Sequence, residues 1–224
     1  MPILVLTSPE FALPADLQER WLAELPADRR EALLRWPDAG ARHQSLIGSR
    51  LLRAGLRRLG HRGDLLASLR HAASGRPGLG LPVDFSLSHC AGRVLCAVST
   101  EGPVGVDVEP LGPLLAAGFP LYLDAAERAW AGGDSRRFYS VWTRKEAVAK
   151  AAGSRGMADL ARVRAGTDLQ RAEFAGRSWT TVEIPVGDGY LAHLAMPAEA
   201  GPQAGVRVVN VSRQALETPP GPAG

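Results

Sequence analysis

The hydrophobic period of the chain changes from helical to alternating and back again, and this restricts the fold more than any other feature. From Ala41 to Leu59 the residues Leu46, Ile47, Leu51, Leu52, Leu56 and Leu59 recur at helical spacing, which predicts a long amphipathic helix. Shorter helices are expected at 15–25 and 28–36, the second with Asp28 as N-cap and Pro37 as its stop. After a Gly/Pro-rich loop at 75–82 the period drops to two. Asp84–Cys90 and Val94–Val98 flank an Ala91-Gly92 turn and read as a β-hairpin, with Val104–Glu109 as a further strand. Ile3–Leu6 is a first strand, helices return at 124–131 and 134–152, and strands follow at 179–185, 189–196 and 206–211. The expectation is an α+β fold of two lobes with similar content, each a small antiparallel sheet packed with helices. The lobes would span 1–102 and 103–213, followed by a disordered Pro/Gly tail at 214–224.

Composition matters mainly for what it excludes. With 224 residues, 46% hydrophobic and 22% charged, the chain can bury a sizeable core. No run approaches the ~20 apolar residues of a membrane span, and the start lacks the basic segment and long apolar stretch of a signal peptide. Cys90 and Cys96 cannot staple a chain of this size or build a four-ligand zinc site alone. A cytoplasmic protein is expected. The net charge of +3 does not demand nucleic acid, but its distribution is uneven. Eight arginines between Arg29 and Arg58 (Arg35 among them) meet only Glu31 and Asp38, a local excess of +6. That stretch is either a solvated helix face or a docking surface for something anionic.

The carboxylates and lysines carry more chemistry. On a strand, Val104, Val106 and Val108 face one way, while Asp107 and Glu109 face the other, about 7 Å apart. Gly105 removes bulk beside them. Such a pair is either a solvated edge or a site for a hard cation such as Mg²⁺. In the helix Phe138–Lys150, Phe138, Val141, Trp142, Ala149 and Ala152 form an apolar stripe with Lys145 in its middle. Glu146 and Lys150 lie on the flank at i,i+4. A surface ion pair would account for those two but not for Lys145, which is expected to reach an anion or solvent. A third carboxylate beside Asp107 and Glu109 would complete a cation site, with the lysines serving its phosphates. Ser88 and His89 are adjacent on a strand and point to opposite faces, so they cannot form a nucleophile–base pair. No GxSxG, HExxH or P-loop pattern is present.

Four segments in this order resemble the 4′-phosphopantetheinyl transferase superfamily, in its two-lobed Sfp-like group: Gly75-Arg76-Pro77, Phe85-Ser-Leu-Ser-His89, Gly105-Val-Asp-Val-Glu109 and Trp142-Thr-Arg-Lys-Glu-Ala-Val-Ala-Lys150. The resemblance runs from about residue 75 to 153, weakly extended at His43–Gly48, and its Glu-Ala ending looks like the branch serving secondary-metabolite synthases. It implies two pseudo-symmetric lobes and transfer of the phosphopantetheine arm of coenzyme A to a serine of an apo acyl or peptidyl carrier protein. The synthases served would make polyketides, nonribosomal peptides or fatty acids, and adenosine 3′,5′-bisphosphate would be released. By motif, Asp107, Glu109 and Glu146 would hold Mg²⁺ (or Mn²⁺), and Lys150 would stabilise charge on the phosphates. Lys145, Ser88, His89 and Arg76 would contact the coenzyme, the last three near its 3′-phosphate. Glu127 would act as base for the carrier serine, with metal-bound water as the alternative. Arg30 and Arg35 would be further phosphate contacts. Gln44 stands where the family often has an arginine, so His43 or Arg42 takes that contact or binding there is weaker. Leu111–Leu115 is either a carrier-docking patch or a buried loop. A monomer is expected. The competing reading is a non-enzymic basic module that binds nucleic acid through Arg29–Arg58.

Overall fold

The computed structural model describes residues 3–71, 77–154, 156–200 and 205–217. In chain order the elements are β1 (Ile3–Pro9), α1 (Ala15–Ala23), α2 (Ala27–Leu34), α3 (Ala39–Arg58), β2 (Arg70–His71), β3 (Pro77–Gly78), β4 (Asp84–Cys90), β5 (Arg93–Ser99) and β6 (Gly105–Pro110). They continue with α4 (Ala125–Ala131), α5 (Ser135–Ala151), α6 (Met157–Leu160), β7 (Arg171–Phe174), β8 (Arg177–Glu183), β9 (Tyr190–Pro197), β10 (Val206–Asn210) and α7 (Arg213–Glu217). Two four-stranded sheets result, ordered β10-β1-β5-β4 and β6-β9-β8-β7, with β2 and β3 forming a separate two-stranded ladder. The α+β class is as the periodicity predicts.

Alternation along the strands assigns each face. In β1, Leu4 and Leu6 join β5 residues Cys96 and Val98 in a core against Leu46, Ile47, Leu51 and Leu56 of α3. Ile3, Val5, Leu95 and Ala97 point the other way and meet Val104, Val106 and Val108 of β6 with Leu194 of β9. Because the first sheet is covered on both faces, β1 reads as a continuous apolar run. The far face of the second sheet receives α5, whose Ala147, Val148 and Ala151 pack with Trp179 and Ala195. At Gly105 a Cβ would fall 1.9 Å from the Ala147 carbonyl oxygen, so only glycine permits α5 to lie this close to β6.

The sheets are joined at β4 and β6 by side chains. Asp84 Oδ2, Ser86 Oγ and Ser88 Oγ, alternate residues on one face of β4, accept from the backbone N–H of Val104, Val106 and Val108 at 2.8, 3.1 and 3.3 Å. Polar residues at alternate positions of β4 thus satisfy a neighbouring strand with which it forms no ladder.

Several boundaries differ from the sequence reading. β10 pairs in parallel with β1, so residues 206–210 return to the first sheet although the sequence division groups them with the second lobe. Residues 213–217, placed partly in the tail, form α7, because buried Leu216 packs on the first core and its carbonyl accepts from Arg50. Residues 218–224 lie outside the described residues. Pro26 rather than Asp28 occupies the N-cap of α2, with Asp28 in its first turn. Among the described residues no helix is long and apolar enough to cross a membrane.

Candidate active site

A cleft of about 440 Å³ opens between α3, β4, α5 and the segment entering α6. Arg29, Trp36, Gln44, Ser45 and Gly48 form one wall, Leu87 and His89 of β4 line the floor, and Glu146, Ala149 and Lys150 of α5 face them.

Beside the cleft, behind Lys150, the second sheet supplies two carboxylates. Asp107 and Glu109 lie on the face of β6 opposite the buried valines, toward α5. Lys150 Nζ donates to Asp107 Oδ1 at 2.6 Å and to Ser88 Oγ at 3.0 Å. Ser88 also accepts from the Val108 N–H, so its one proton goes to Asp107 Oδ1, 2.9 Å away. The other oxygen, Asp107 Oδ2, is buried with no hydrogen-bond partner among the described residues. The Glu109 carboxyl is pushed up to about 7, by burial first and then by Asp107 and Glu146, against the lowering effect of Lys150. Glu146 is likewise raised, by burial and by Asp107. Three acids with one ammonium between them lack positive charge.

Hard cations favour carboxylate oxygens, and an orphaned buried oxygen flanked by two crowded carboxyls has the chemistry such an ion needs. The donor set therefore fits a divalent cation. Among the described residues, however, no three His, Cys, Asp or Glu side chains converge on a common point. The ammonium of Lys150 stands at Asp107 Oδ1 instead.

Other residues singled out by sequence fall elsewhere. Lys145 does not reach the cleft; it is 1% exposed and donates to both oxygens of Glu127, itself 1% exposed, at 3.0 and 2.8 Å. Lys145 also donates to the Val163 carbonyl, and Glu127 accepts from the N–H groups of Asp124 and Ala165. The coenzyme contact expected of Lys145 and the base role expected of Glu127 thus both fall on one closed interior pair, away from the residues that line the cleft. An apolar stripe on a helix wheel hides a buried carboxylate brought in by another helix, here through the Asp124–Glu127 capping box of α4. The Ser88 hydroxyl, expected near the coenzyme 3′-phosphate, is instead engaged with Asp107, Lys150 and Val108, and Ser88 is not among the residues that line the cleft.

His89 does line the cleft, whereas His43 is engaged with Gln18 at 3.0 Å and Arg35 is exposed beside Glu31. Arg42 donates to the Trp36 carbonyl, and Gln44 faces the cleft while donating to the Cys90 carbonyl at 3.2 Å. Arg76 lies outside the described residues. The arginine run proves to be divided. Buried Arg50 and Arg53 share the Glu24 carboxylate away from the cleft. Arg29 faces the cleft, donating to Ser45 Oγ at 3.0 Å with its guanidinium 5.9 Å from the Trp36 ring. Sequence reasoning did not single out Arg29 and Trp36 as site residues; the local charge excess was their only signal.

Comparison with known proteins converges on the same segments. The family model of the 4′-phosphopantetheinyl transferase superfamily matches residues 103–194, the stretch carrying Asp107, Glu109, Glu146 and Lys150. A 4′-phosphopantetheinyl transferase of Bacillus subtilis is 28% identical over 148 residues, covering 63% of this chain and 66% of that protein. The 4′-phosphopantetheinyl transferase gsp of Aneurinibacillus migulanus is 26% identical over 131 residues, 56% of this chain and 55% of its own length. The 4′-phosphopantetheinyl transferase AcpT of Escherichia coli K12 is 33% identical over 126 residues, 51% of this chain and 64% of its own. The matches thus span from about half to just under two thirds of these relatives. The family match falls on the acidic strand and on the Glu146–Lys150 helix packed against it, so over residues 103–194 the chain is similar to the 4′-phosphopantetheinyl transferase superfamily.

Proposed function

We propose that the protein transfers the phosphopantetheine arm of coenzyme A to a serine of apo acyl or peptidyl carrier proteins, in the manner of the two-lobed Sfp-like group. The carriers would be those of polyketide, nonribosomal peptide or fatty acid synthases. The observation that carries this reading is one cleft lined by Arg29, Trp36, His89, Glu146 and Lys150, with the Asp107 carboxylate bonded to Lys150 beside it. Aromatic, cationic and carboxylate groups in one cleft suit a ligand that carries a purine and several phosphates.

In the reaction the serine hydroxyl gives its proton to a base (Glu127 or a water in the cleft), its oxygen bonds to the pantetheine-linked phosphorus, the bond from that phosphorus to the bridging oxygen breaks, and adenosine 3′,5′-bisphosphate leaves. The barrier is lowered mainly by positioning and by neutralising charge that spreads over phosphate oxygens. Asp107, Glu109 and Glu146 would hold Mg²⁺ or Mn²⁺, which supplies that neutralisation at the pyrophosphate when bound. Lys150 adds a flexible ammonium on the same side, and Arg29 offers a planar guanidinium toward the 3′-phosphate, where Gln44 carries no charge. Glu127 is paired with Lys145 in the interior, which favours water over Glu127 as acceptor of the serine proton.

Leu114, Leu115 and Leu121 are 45%, 41% and 78% exposed in the segment between β6 and α4, which favours the docking-patch reading over a buried loop. One chain forms the whole cleft, consistent with a monomer. No observation favours the nucleic-acid reading, since the arginine run is split between the cleft and an internal ion-pair network. Calorimetric titration of coenzyme A tests the placement. Binding weakened about tenfold or more in Arg29→Ala, with the fold intact, supports it, as expected for a lost charge-assisted hydrogen bond. No binding of coenzyme A by the native chain refutes it.

A further inference from the structure

We infer that Lys150 is an exchangeable counter-ion of Asp107: it neutralises the carboxylate until a divalent cation binds, then leaves it for the pyrophosphate of the coenzyme. This rests on the reading of Asp107, Glu109 and Glu146 as cation ligands.

The contacts of Asp107 are unequal. Oδ1 receives both the Lys150 ammonium and the Ser88 hydroxyl, while buried Oδ2 receives nothing from the described residues. A buried carboxylate requires a compensating charge, and Lys150 is the ammonium that supplies it here. A cation using Asp107 claims the same negative charge, so the two compete for one carboxylate. Lys150 has somewhere else to go. Its side chain is 30% exposed against 5% for Asp107, it lines the cleft, and its four-carbon stem can swing. Lys145, one turn earlier on α5, shows the contrasting case: it is sealed against Glu127 with both partners 1% exposed. One helix therefore carries one fixed and one exchangeable lysine.

The exchange couples the two ligands. A cation on Asp107 releases Lys150 to the cleft, and a pyrophosphate that captures Lys150 bares Asp107 for the cation. By linkage each ligand then strengthens the other by the same factor. Cation affinity without coenzyme is weak because Lys150 must be displaced.

The composition of the chain makes the test direct, because Lys145 and Lys150 are its only lysines. Protein labelled with ¹³C at lysine Cε gives two lysine environments, and Lys150→Met assigns them by removing one. Mg²⁺ is titrated without coenzyme while calorimetry reads binding independently. The expected result is a saturable shift of the Lys150 signal that tracks the calorimetric isotherm, with the Lys145 signal unmoved. Lys150→Met, its fold verified by circular dichroism, should bind Mg²⁺ about tenfold more tightly than the native chain. Saturable Mg²⁺ binding with an unmoved Lys150 signal overturns the exchange and leaves the cation site standing. Absence of Mg²⁺ binding in both proteins overturns the cation reading itself, and the exchange with it.

Discussion

Replacing Lys145 with methionine should damage the fold rather than the coenzyme site. The ammonium is 1% exposed and makes three hydrogen bonds, two to Glu127 at 2.8 and 3.0 Å and one to the Val163 carbonyl. Methionine keeps most of the volume but strands an interior carboxylate, which retains only the N–H groups of Asp124 and Ala165. Removing one partner of a buried ion pair costs about 3–5 kcal/mol, a large part of the roughly 5–15 kcal/mol that holds a domain together. For a chain of this length each kcal/mol lowers Tm by about 2–4 °C, so a loss on the order of 6–20 °C is expected. The double variant Lys145→Met, Glu127→Gln removes the stranded charge and should recover part of that loss. Thermal and urea unfolding measure the stabilities, and coenzyme A titration into the folded variants measures the site. A Tm within about 2 °C of the native protein together with lost coenzyme binding would refute the structural role of Lys145 and return it to the cleft.

Two further outcomes follow from the packing. Gly105→Ala should unfold the protein or displace α5 from β6, because its Cβ would lie 1.9 Å from Ala147 O and 2.5 Å from Ala151 N, both backbone atoms that cannot step aside; near-native Tm by calorimetry would contradict that contact. His193 should act as an acid-sensitive group: burial, then Arg144 and Arg136, press it down from 6.5 to about 3. The unfolded chain therefore binds a proton that the folded chain refuses, so this contribution is complete above 6.5 and is lost as pH falls toward 3. Glu109 has the opposite sign, since its carboxyl is raised to about 7 and its contribution is lost as pH rises through that value. Comparing native protein with His193→Gln isolates the histidine: the native curve should fall relative to the variant by at most about 1.4 kcal/mol per pH unit below 6.5, and parallel urea-unfolding curves across that range would argue against it.

The elements that were legible in the sequence are those whose environment is set locally. Alternation in Val104–Glu109 separates a valine face from an acidic face, and the structure buries the first between the sheets and turns the second toward α5. The i,i+4 pair Glu146 and Lys150 likewise reaches the cleft. What sequence could not reveal depends on partners distant along the chain. Lys145 meets Glu127 only because α4 and α5 pack together, and Ser88 is drawn away from the cleft by Asp107 and Val108 across the junction of the two sheets. The parallel pairing of β10 with β1 joins strands some two hundred residues apart and leaves no local pattern. The arginine run was ambiguous for a related reason: Arg29 on α2 lines the cleft while Arg50 and Arg53 on α3 share Glu24, so a charge count over the segment merges a cleft wall with an internal ion network.

Intact-protein mass spectrometry of an apo carrier protein, incubated with this chain, coenzyme A and Mg²⁺, tests the central claim most directly. The expected result is a gain of one phosphopantetheine on the carrier serine, abolished by EDTA and by Asp107→Ala while Asp107→Ala remains folded. An unmodified carrier across acyl and peptidyl types, or modification that survives both EDTA and Asp107→Ala, would contradict the account.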